Sequence, residues 1–276
     1  MTLPRISLVT CSYQQARFLQ ATLRSVLEQA YPALEYLVID GGSQDGSVDI
    51  IRRHESSLAY WVSERDAGQT DALIKGFARS SGEIMGWLCS DDLMLPGALH
   101  AVGQFFERHP DVAAVYGDAL WIDAAGRLLR PKKEISFNRF IFRYAHNYIP
   151  QPSMFWRREL YVEAGGLDPR FDVAMDGDLW DRFAALTRIQ HLPRFLSCMR
   201  FYESQKTRSL RSRARHEDAH VRYRAVPVLT HRLTYPLKHL VARTLRCALK
   251  VAAGSYGASV PREHLAWLNE HATVVR

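Results

Sequence analysis

The sequence predicts an α/β fold with a mostly parallel central sheet, followed by a basic helical extension. Three observations carry this. Short apolar runs rich in β-branched residues alternate with stretches of helical periodicity through the first half of the chain. Polar loops follow three of those runs, where a parallel sheet gathers its ligand-binding ends. Charge is also divided unevenly. Residues 1–204 hold 22 Lys and Arg against 25 Asp and Glu, whereas residues 205–276 hold 14 against 4, a local excess of +10.

Taken in order, residues 6–10 read as a strand, and Phe18, Leu19, Leu23, Val26 and Leu27 recur at helical spacing until Tyr31-Pro32 stops them. Residues 36–39 form a second strand, ended by Asp40-Gly41-Gly42-Ser43. A helix through Val48, Ile50 and Ile51, a strand near 59–62, a helix over 69–80 and a buried strand at 84–88 follow. Residues 93–99 look like a helix start, with the helix over roughly 96–108 and a strand at 112–116 beyond it. Strands alternating with helices in this way argue for βαβ units. The second half is less regular. It has turn signals at 123–126, a basic stretch at 130–133, a strand at 154–156 leading into a helix at 158–164, and a second helix over 175–187. From 208 onward the pattern is helical, with Pro227, Pro236 and Pro261 as breaks.

At 276 residues and 47% hydrophobic, the chain can bury a sizeable core. It has no apolar tract long enough to span a bilayer, and its start lacks a secretory pattern. Cys11, Cys89, Cys198 and Cys247 are far apart, which argues against a disulfide framework or zinc site and fits a reducing cytoplasm. The basic tail suits phospholipid head groups, nucleic acid or an anionic substrate.

Four stretches carry chemistry. In GWLCSDD (86–92), the adjacent Asp91 and Asp92 suit either a helix N-cap or a divalent cation bound with a phosphorylated ligand. Placement after a buried strand, on one rim with two other polar loops, favours the cation. Asp40-Gly41-Gly42-Ser43 joins an acid at a strand end to a turn whose glycines let backbone N–H groups approach a ligand, but it lacks the G-x-G-x-x-G fingerprint of nicotinamide enzymes. Asp71 and Lys75, four apart in a predicted helix, read either as an ordinary ion pair or as a face turned to nucleotide or sugar. Asp176, Asp178 and Asp181 place three acids within six residues, a candidate general base with supporting charge or else a solvated helix face.

Together, SLVTCSY (7–13), VIDGGSQDGS (38–47), GWLCSDD (86–92) and MDGDLW (175–180) occur in the order expected of family 2 glycosyltransferases, which the chain resembles over roughly residues 5–205. The resemblance implies a GT-A fold with a Rossmann-like nucleotide-binding domain. Residues 1–207 would form the catalytic domain, with about 1–116 the nucleotide-sugar half and about 117–207 the acceptor half; 208–276 would be a basic helical tail. It implies inverting transfer from a nucleotide-diphosphate sugar, a UDP-sugar favoured, to a glycan or lipid-linked acceptor in bacterial envelope, capsule or lipopolysaccharide synthesis. Mn²⁺ or Mg²⁺ would be the cofactor.

By the same resemblance, Thr10, Cys11, Ser12, Tyr13, Asp40, Gly41, Gly68, Asp71, Lys75, Ser90 and Asp91 would bind nucleotide. Asp92 would hold the metal with Asp91, which also meets the ribose. Asp176 would be the base. Gln151, Gly166, Asp178, Trp180, Arg200 and Lys206 would line the donor and acceptor side. Three positions depart from the family pattern: Cys89 stands where relatives carry the first acid of the metal motif, Met175 replaces the Glu before Asp176, and Tyr202 stands where a histidine is common.

In 236–253, Leu237, Leu240, Val241, Leu245, Ala248, Leu249 and Ala252 form an apolar stripe with cations on the remaining surface. That pattern fits a helix lying on an anionic membrane at the inner face of the cell, or one packed on the body. Rival functions are a metal-dependent nucleotidyltransferase and an inactive glycosyltransferase-like assembly protein. Nucleic acid is not an expected partner, because no recognition motif accompanies the basic tail.

Overall fold

A computed structural model describes residues 3–223 and 228–272; Pro227 lies outside them. Strand β1 (Ile6–Ser12) is buried along its whole length. It is flanked in parallel by β2 (Leu34–Asp40) and β4 (Ile84–Cys89), with β3 (Tyr60–Ser63) beyond β2. The register sets Ser12 beside Asp40 and Cys11 beside Cys89, so three strand ends finish level. Helices α1 (Ala16–Leu27), α2 (Ser47–Arg53) and α3 (Gln69–Arg79) make the crossovers. α1 turns Phe18, Leu19, Leu23 and Val26 inward, as their spacing requires. α3 lies close on the sheet because Gly76 has no Cβ; one placed there would sit 2.5 Å from Val9 Cγ1.

The chain continues through β5 (Leu93–Met94), α4 (Ala98–Arg108), β6 (Ala114–Asp123), β7 (Leu128–Lys132), α5 (Arg139–Tyr144), β8 (Met154–Arg157), α6 (Arg158–Glu163), α7 (Met175–Leu186) and β9 (Gln190–Phe201). One nine-stranded sheet results, ordered β3-β2-β1-β4-β8-β6-β9-β5 with β7 on β6. β8 runs antiparallel to both β4 and β6, and β9 runs parallel to β6.

Four local expectations change. Residues 93–99 do not start a helix: Leu93 and Met94 pair with Cys198 and Ser197 of β9, and α4 begins only after Gly97, at φ 73°. Asp91 and Asp92 therefore cap no helix. The strand expected at 112–116 is β6, which runs on to Asp123 because β7 and β9 give it partners on both faces of its ladder. β7 and β9 themselves were not expected. Pro236 lies inside a helix instead of breaking one.

Beneath the sheet's rim, Trp87 of β4, Trp156 of β8 and Trp180 of α7 form an aromatic cluster. Trp180 stacks on Trp87 at 5.2 Å and meets Trp156 at 5.3 Å. Trp180 is fully buried, so it is core rather than a sugar-stacking platform; α7 has to turn an apolar face to the sheet, and Trp180 supplies it.

The C-terminal helices are α8 (Lys206–Ser209), α9 (Arg211–Tyr223), α10 (Val228–Ala252) and α11 (Arg262–His271). α9 packs on α7, and α10 on α5. α10 is fastened by a buried carboxylate. Glu134 pairs with Lys132 at 3.0 Å, Arg246 at 2.8 Å and Lys250 at 3.4 Å. Burial pushes the Glu134 carboxyl up, but the three cations hold it below the ordinary range.

Replacing Trp180 by Ala is expected to cost about 3–5 kcal/mol of unfolding free energy in urea titrations. A loss under about 1 kcal/mol, with transfer nonetheless impaired, would return Trp180 to the substrate cleft.

Candidate active site

The level ends of β1, β2 and β4 form the floor of the site. Because β1 is buried on both faces, Thr10, Cys11 and Ser12 point into the interior; Thr10 Oγ1 lies 2.9 Å from Tyr36 Oη. Ser12, whose Oγ has no hydrogen-bond partner among the described residues, ends the strand beside Asp40. Tyr13, 62% exposed, is the aromatic that reaches the rim. The residue after it, Gln14, adopts a left-handed φ of 53°, and its N–H donates to Ser43 Oγ at 2.8 Å.

The Asp40 carboxylate accepts from the Gly42 and Ser43 amides (3.1 and 2.8 Å), Ser43 Oγ (2.6 Å) and Ser63 Oγ (2.7 Å). Three of these donors fall on Oδ2 and one on Oδ1, so Asp40 holds the Gly41–Ser43 loop in shape. Asp66 is unassigned from sequence. A Cβ on Gly41 would fall 2.8 Å from Asp66 Oδ2 and 3.2 Å from Tyr13 Cδ2, so glycine keeps a narrow slot open between acid and ring. Burial pushes the Asp66 carboxyl up, against the pull of its bond from the Gly68 amide at 2.8 Å. Gly68, at φ 116°, makes the turn into α3. There Lys75 pairs with Glu64 (3.0 Å) and Asp71 (3.4 Å), and Asp71 accepts the Ala67 amide. The ion-pair alternative for Asp71 and Lys75 is the one realised.

Cys89, Asp91 and Asp92 each offer a ligand atom, all within 4.8 Å of one another. Both carboxylates are buried, and Ser90 between the cysteine and the acids is buried too. Burial pushes Asp92 well above the carboxylate range, with Asp91 adding repulsion. Burial also raises Asp91, although Tyr202 Oη, donating at 2.8 Å, pulls it back. Arg200, fully buried, straps the pair. Its N–H donates to Asp92 Oδ1 and its Nε to the Asp91 carbonyl, both at 2.8 Å; Nη1 reaches the carbonyls of Asp123 and Ala124. It is a clamp under the motif rather than a residue of the donor or acceptor wall. Two hard carboxylates brought together at a desolvation cost fit Mg²⁺ or Mn²⁺, whose charge would offset their repulsion. The Cys11 thiol beside it, and burial, push the Cys89 thiol up, so it stays neutral and hydrogen-bonds Gln151 Oε1 at 3.4 Å. Gln151 Nε2 in turn donates to the Trp87 carbonyl at 2.8 Å.

The opposite wall is the start of α7. Asp176 accepts from Asn147 Nδ2 at 2.9 Å and from the Gly177 amide at 2.7 Å, and burial pushes its carboxyl up to about 6. Glu217 of α9 receives the amides of Asp172, Val173 and Ala174 at 3.1, 2.8 and 2.9 Å, which fixes where the helix begins. The two walls meet through α3. Gln69 Nε2 donates to Cys89 Sγ at 3.2 Å, and Lys206 Nζ donates to Gln69 Oε1 at 3.3 Å and to Asp172 Oδ1 at 2.5 Å. Gln69, Asp172, Asn147 and Glu217 were not singled out from the sequence. Asp178, expected near the acceptor, is fully buried and ion-paired with Arg182 at 2.7 Å, so it braces α7. Gly166, at φ 69°, sits in a turn against Tyr161, with Asp168 and Arg182 close by.

The model of the family described as glycosyl transferase family 2 matches residues 7–162. An uncharacterized glycosyltransferase of Mycobacterium tuberculosis is 31% identical over 175 residues, 63% of this chain and 66% of the relative, so the match spans just under two thirds of that relative's length. The O-antigen biosynthesis protein RfbC of Myxococcus xanthus is 30% identical over 192 residues, 67% of this chain but 15% of that protein. Among solved structures, S. aureus TarS 1–349 in complex with UDP-GlcNAc superposes with a TM-score of 0.61 at 16% identity, covering 73% of this chain and 60% of that one. The mannosyltransferase PcManGT of Pyrobaculum calidifontis, in complex with GDP-Man and Mn²⁺, gives 0.62 at 20% identity, covering 98% and 80%. The curled α/β sheet with its acid pair at the end of β4, the GT-A architecture of those two structures and the match over 7–162 agree: the chain belongs to glycosyl transferase family 2.

Proposed function

We propose that this chain moves a sugar from a nucleoside-diphosphate sugar to an acceptor hydroxyl with inversion at the anomeric carbon. The observation that carries the reading is Asp176, a carboxylate raised to about 6 at the start of the helix whose leading loop, at Asp172, is joined through Lys206 and Gln69 to Cys89 beside the buried Asp91–Asp92 pair. A base with that pKa is ionised at neutral pH and still accepts a proton readily. The acceptor oxygen attacks the anomeric carbon and Asp176 takes its proton. The bond to the diphosphate oxygen breaks, and the electron pair leaves with the nucleoside diphosphate. Asn147 and the Gly177 amide hold the Asp176 carboxylate in place for this. Asp91 and Asp92 would hold Mg²⁺ or Mn²⁺, which when bound supplies positive charge for the departing diphosphate.

On the nucleotide side, Tyr13 offers a ring face and Asp66 an acid beside Gly41. UDP-sugar is the favoured donor, in line with the staphylococcal neighbour; the archaeal neighbour makes a GDP-sugar the alternative. In this reading residues 1–116 serve the donor, 117–207 the acceptor and 208–276 form the basic extension, with Glu217 tying that extension to the base-bearing helix. The relationship to an O-antigen biosynthesis protein supports an envelope glycan, lipid-linked or free, as acceptor, with transfer at the inner face of the cell membrane.

Asp176→Asn is expected to leave donor binding intact while lowering transfer by about 10²–10⁴-fold, the usual share of a general base. For the unaltered chain, the rate should fall about tenfold per pH unit below roughly 6, where Asp176 becomes protonated, and level off above it. An unchanged rate in the Asn variant, or a profile flat down to pH 4, removes Asp176 as the base.

A thermal-shift panel of UDP-, GDP- and dTDP-sugars tests the donor. The largest rise in melting temperature is expected from a UDP-sugar with Mn²⁺ present, and product analysis should show a nucleoside diphosphate. Pyrophosphate release would mean a nucleotidyltransferase instead.

A further inference from the structure

α10 is an amphipathic helix packed with its charged side inward. The residues it turns to the body are polar or small: Arg246 and Lys250 reach Glu134, His239 meets the Tyr144 carbonyl at 2.7 Å, and Ala242 is fully buried. The apolar residues face away. Leu233, Leu237 and Leu240 are 77%, 68% and 63% exposed, and Val251 is 68% exposed. Among the described residues, eight of the twelve large hydrophobic side chains recorded as exposed fall between 233 and 256, so this is a patch and not scatter. Of the cations on α10, Arg246 and Lys250 are thus taken up by Glu134 and Lys238 lies over the Tyr144 ring at 5.1 Å, while Arg243 is exposed.

Two features identify what covers the patch. The first is its width. With Val241, Leu245, Ala248 and Leu249 also exposed, it wraps roughly half of the helix circumference at about 100° per residue, which is wider than the seam of a two-helix contact. The second is charge. Residues 219–262 contain no Asp or Glu, and the exposed Arg243 adds a cation beside the leucines. A second copy brought to this face would oppose like charges, whereas an anionic head-group layer complements them. We propose that the outer face of α10 seats on the surface of an anionic phospholipid bilayer, its leucines dipping below the head groups while the exposed Arg243 reaches the phosphates. The helix lies on the bilayer and does not cross it; no helix among the described residues is long and apolar enough to span. The Glu134 cluster fixes the rotation of α10 that turns the leucines outward.

The test is co-sedimentation of the full chain with vesicles of phosphatidylcholine containing a quarter phosphatidylglycerol, and with phosphatidylcholine alone. The unaltered chain is expected to bind the anionic vesicles and to be released by high salt. The triple variant Leu233→Ser, Leu237→Ser, Leu240→Ser should bind them about tenfold more weakly or worse while keeping its melting temperature. Leu237→Glu alone repeats the comparison with a smaller perturbation. Equal binding by the variants, or equal binding to both vesicle types, overturns the proposal. So does a dimer in sedimentation equilibrium that the same substitutions split, since the face would then belong to a second copy.

Discussion

A buried guanidinium is what the rest of this site leans on. Arg200 enters from β9 and gathers the Asp91 carbonyl, the Asp92 carboxylate and the carbonyls of Asp123 and Ala124, with Phe18 of α1 under its plane at 4.7 Å. The acid pair, the β6–β7 turn and the first helix are thereby referred to one cation. Burial pushes both carboxyls up, and Arg200 pulls each of them back down. One positive charge cannot balance two at no cost, and a divalent cation held there would complete the compensation. Removing the guanidinium alone would strand the acids, a loss of about 3–5 kcal/mol by the usual penalty for breaking a buried pair.

Asp176, the proposed base, is positioned by a different logic, and the two halves of the site are joined through the side chains of Gln69 and Lys206. Glu217 sets the first turn of α7, and Asn147 orients the Asp176 carboxylate. Gln69, at the start of α3, touches Cys89 on one side and Lys206 on the other. Cys89, ahead of the acid pair, thus serves as a neutral link in the chain of contacts that runs from the end of β4 toward α7.

Much of the architecture was legible because periodicity and loop chemistry agreed. The runs at 6–10, 36–39 and 84–88 are too apolar for anything but a buried parallel sheet, and parallel register brings their loops to one rim. β9 was not legible. Its first three residues are half-buried, Pro193 and Arg194 are exposed, and only Phe195 to Cys198 are buried in succession. The roles of individual polar residues were harder still. Nothing in Asp40-Gly41-Gly42-Ser43 says that Ser63, twenty-three positions on, completes the set of donors that occupies Asp40. Asp178 and Trp180 share a helix turn with Asp176, yet Arg182 and the tryptophan cluster claim them. Likewise a stripe in 236–253 has no sign: only the buried Glu134, a hundred residues upstream, decides which side of α10 faces out.

The claim on which the account turns is that GWLCSDD closes a cation site whose carboxylates are held together by Arg200. Titration of Mn²⁺ in the presence of UDP, followed by electron paramagnetic resonance, measures this directly in the unaltered chain and in Asp91→Asn and Asp92→Asn. Binding about tenfold weaker or worse is predicted for each variant. Undiminished Mn²⁺ affinity with both carboxylates replaced would contradict it.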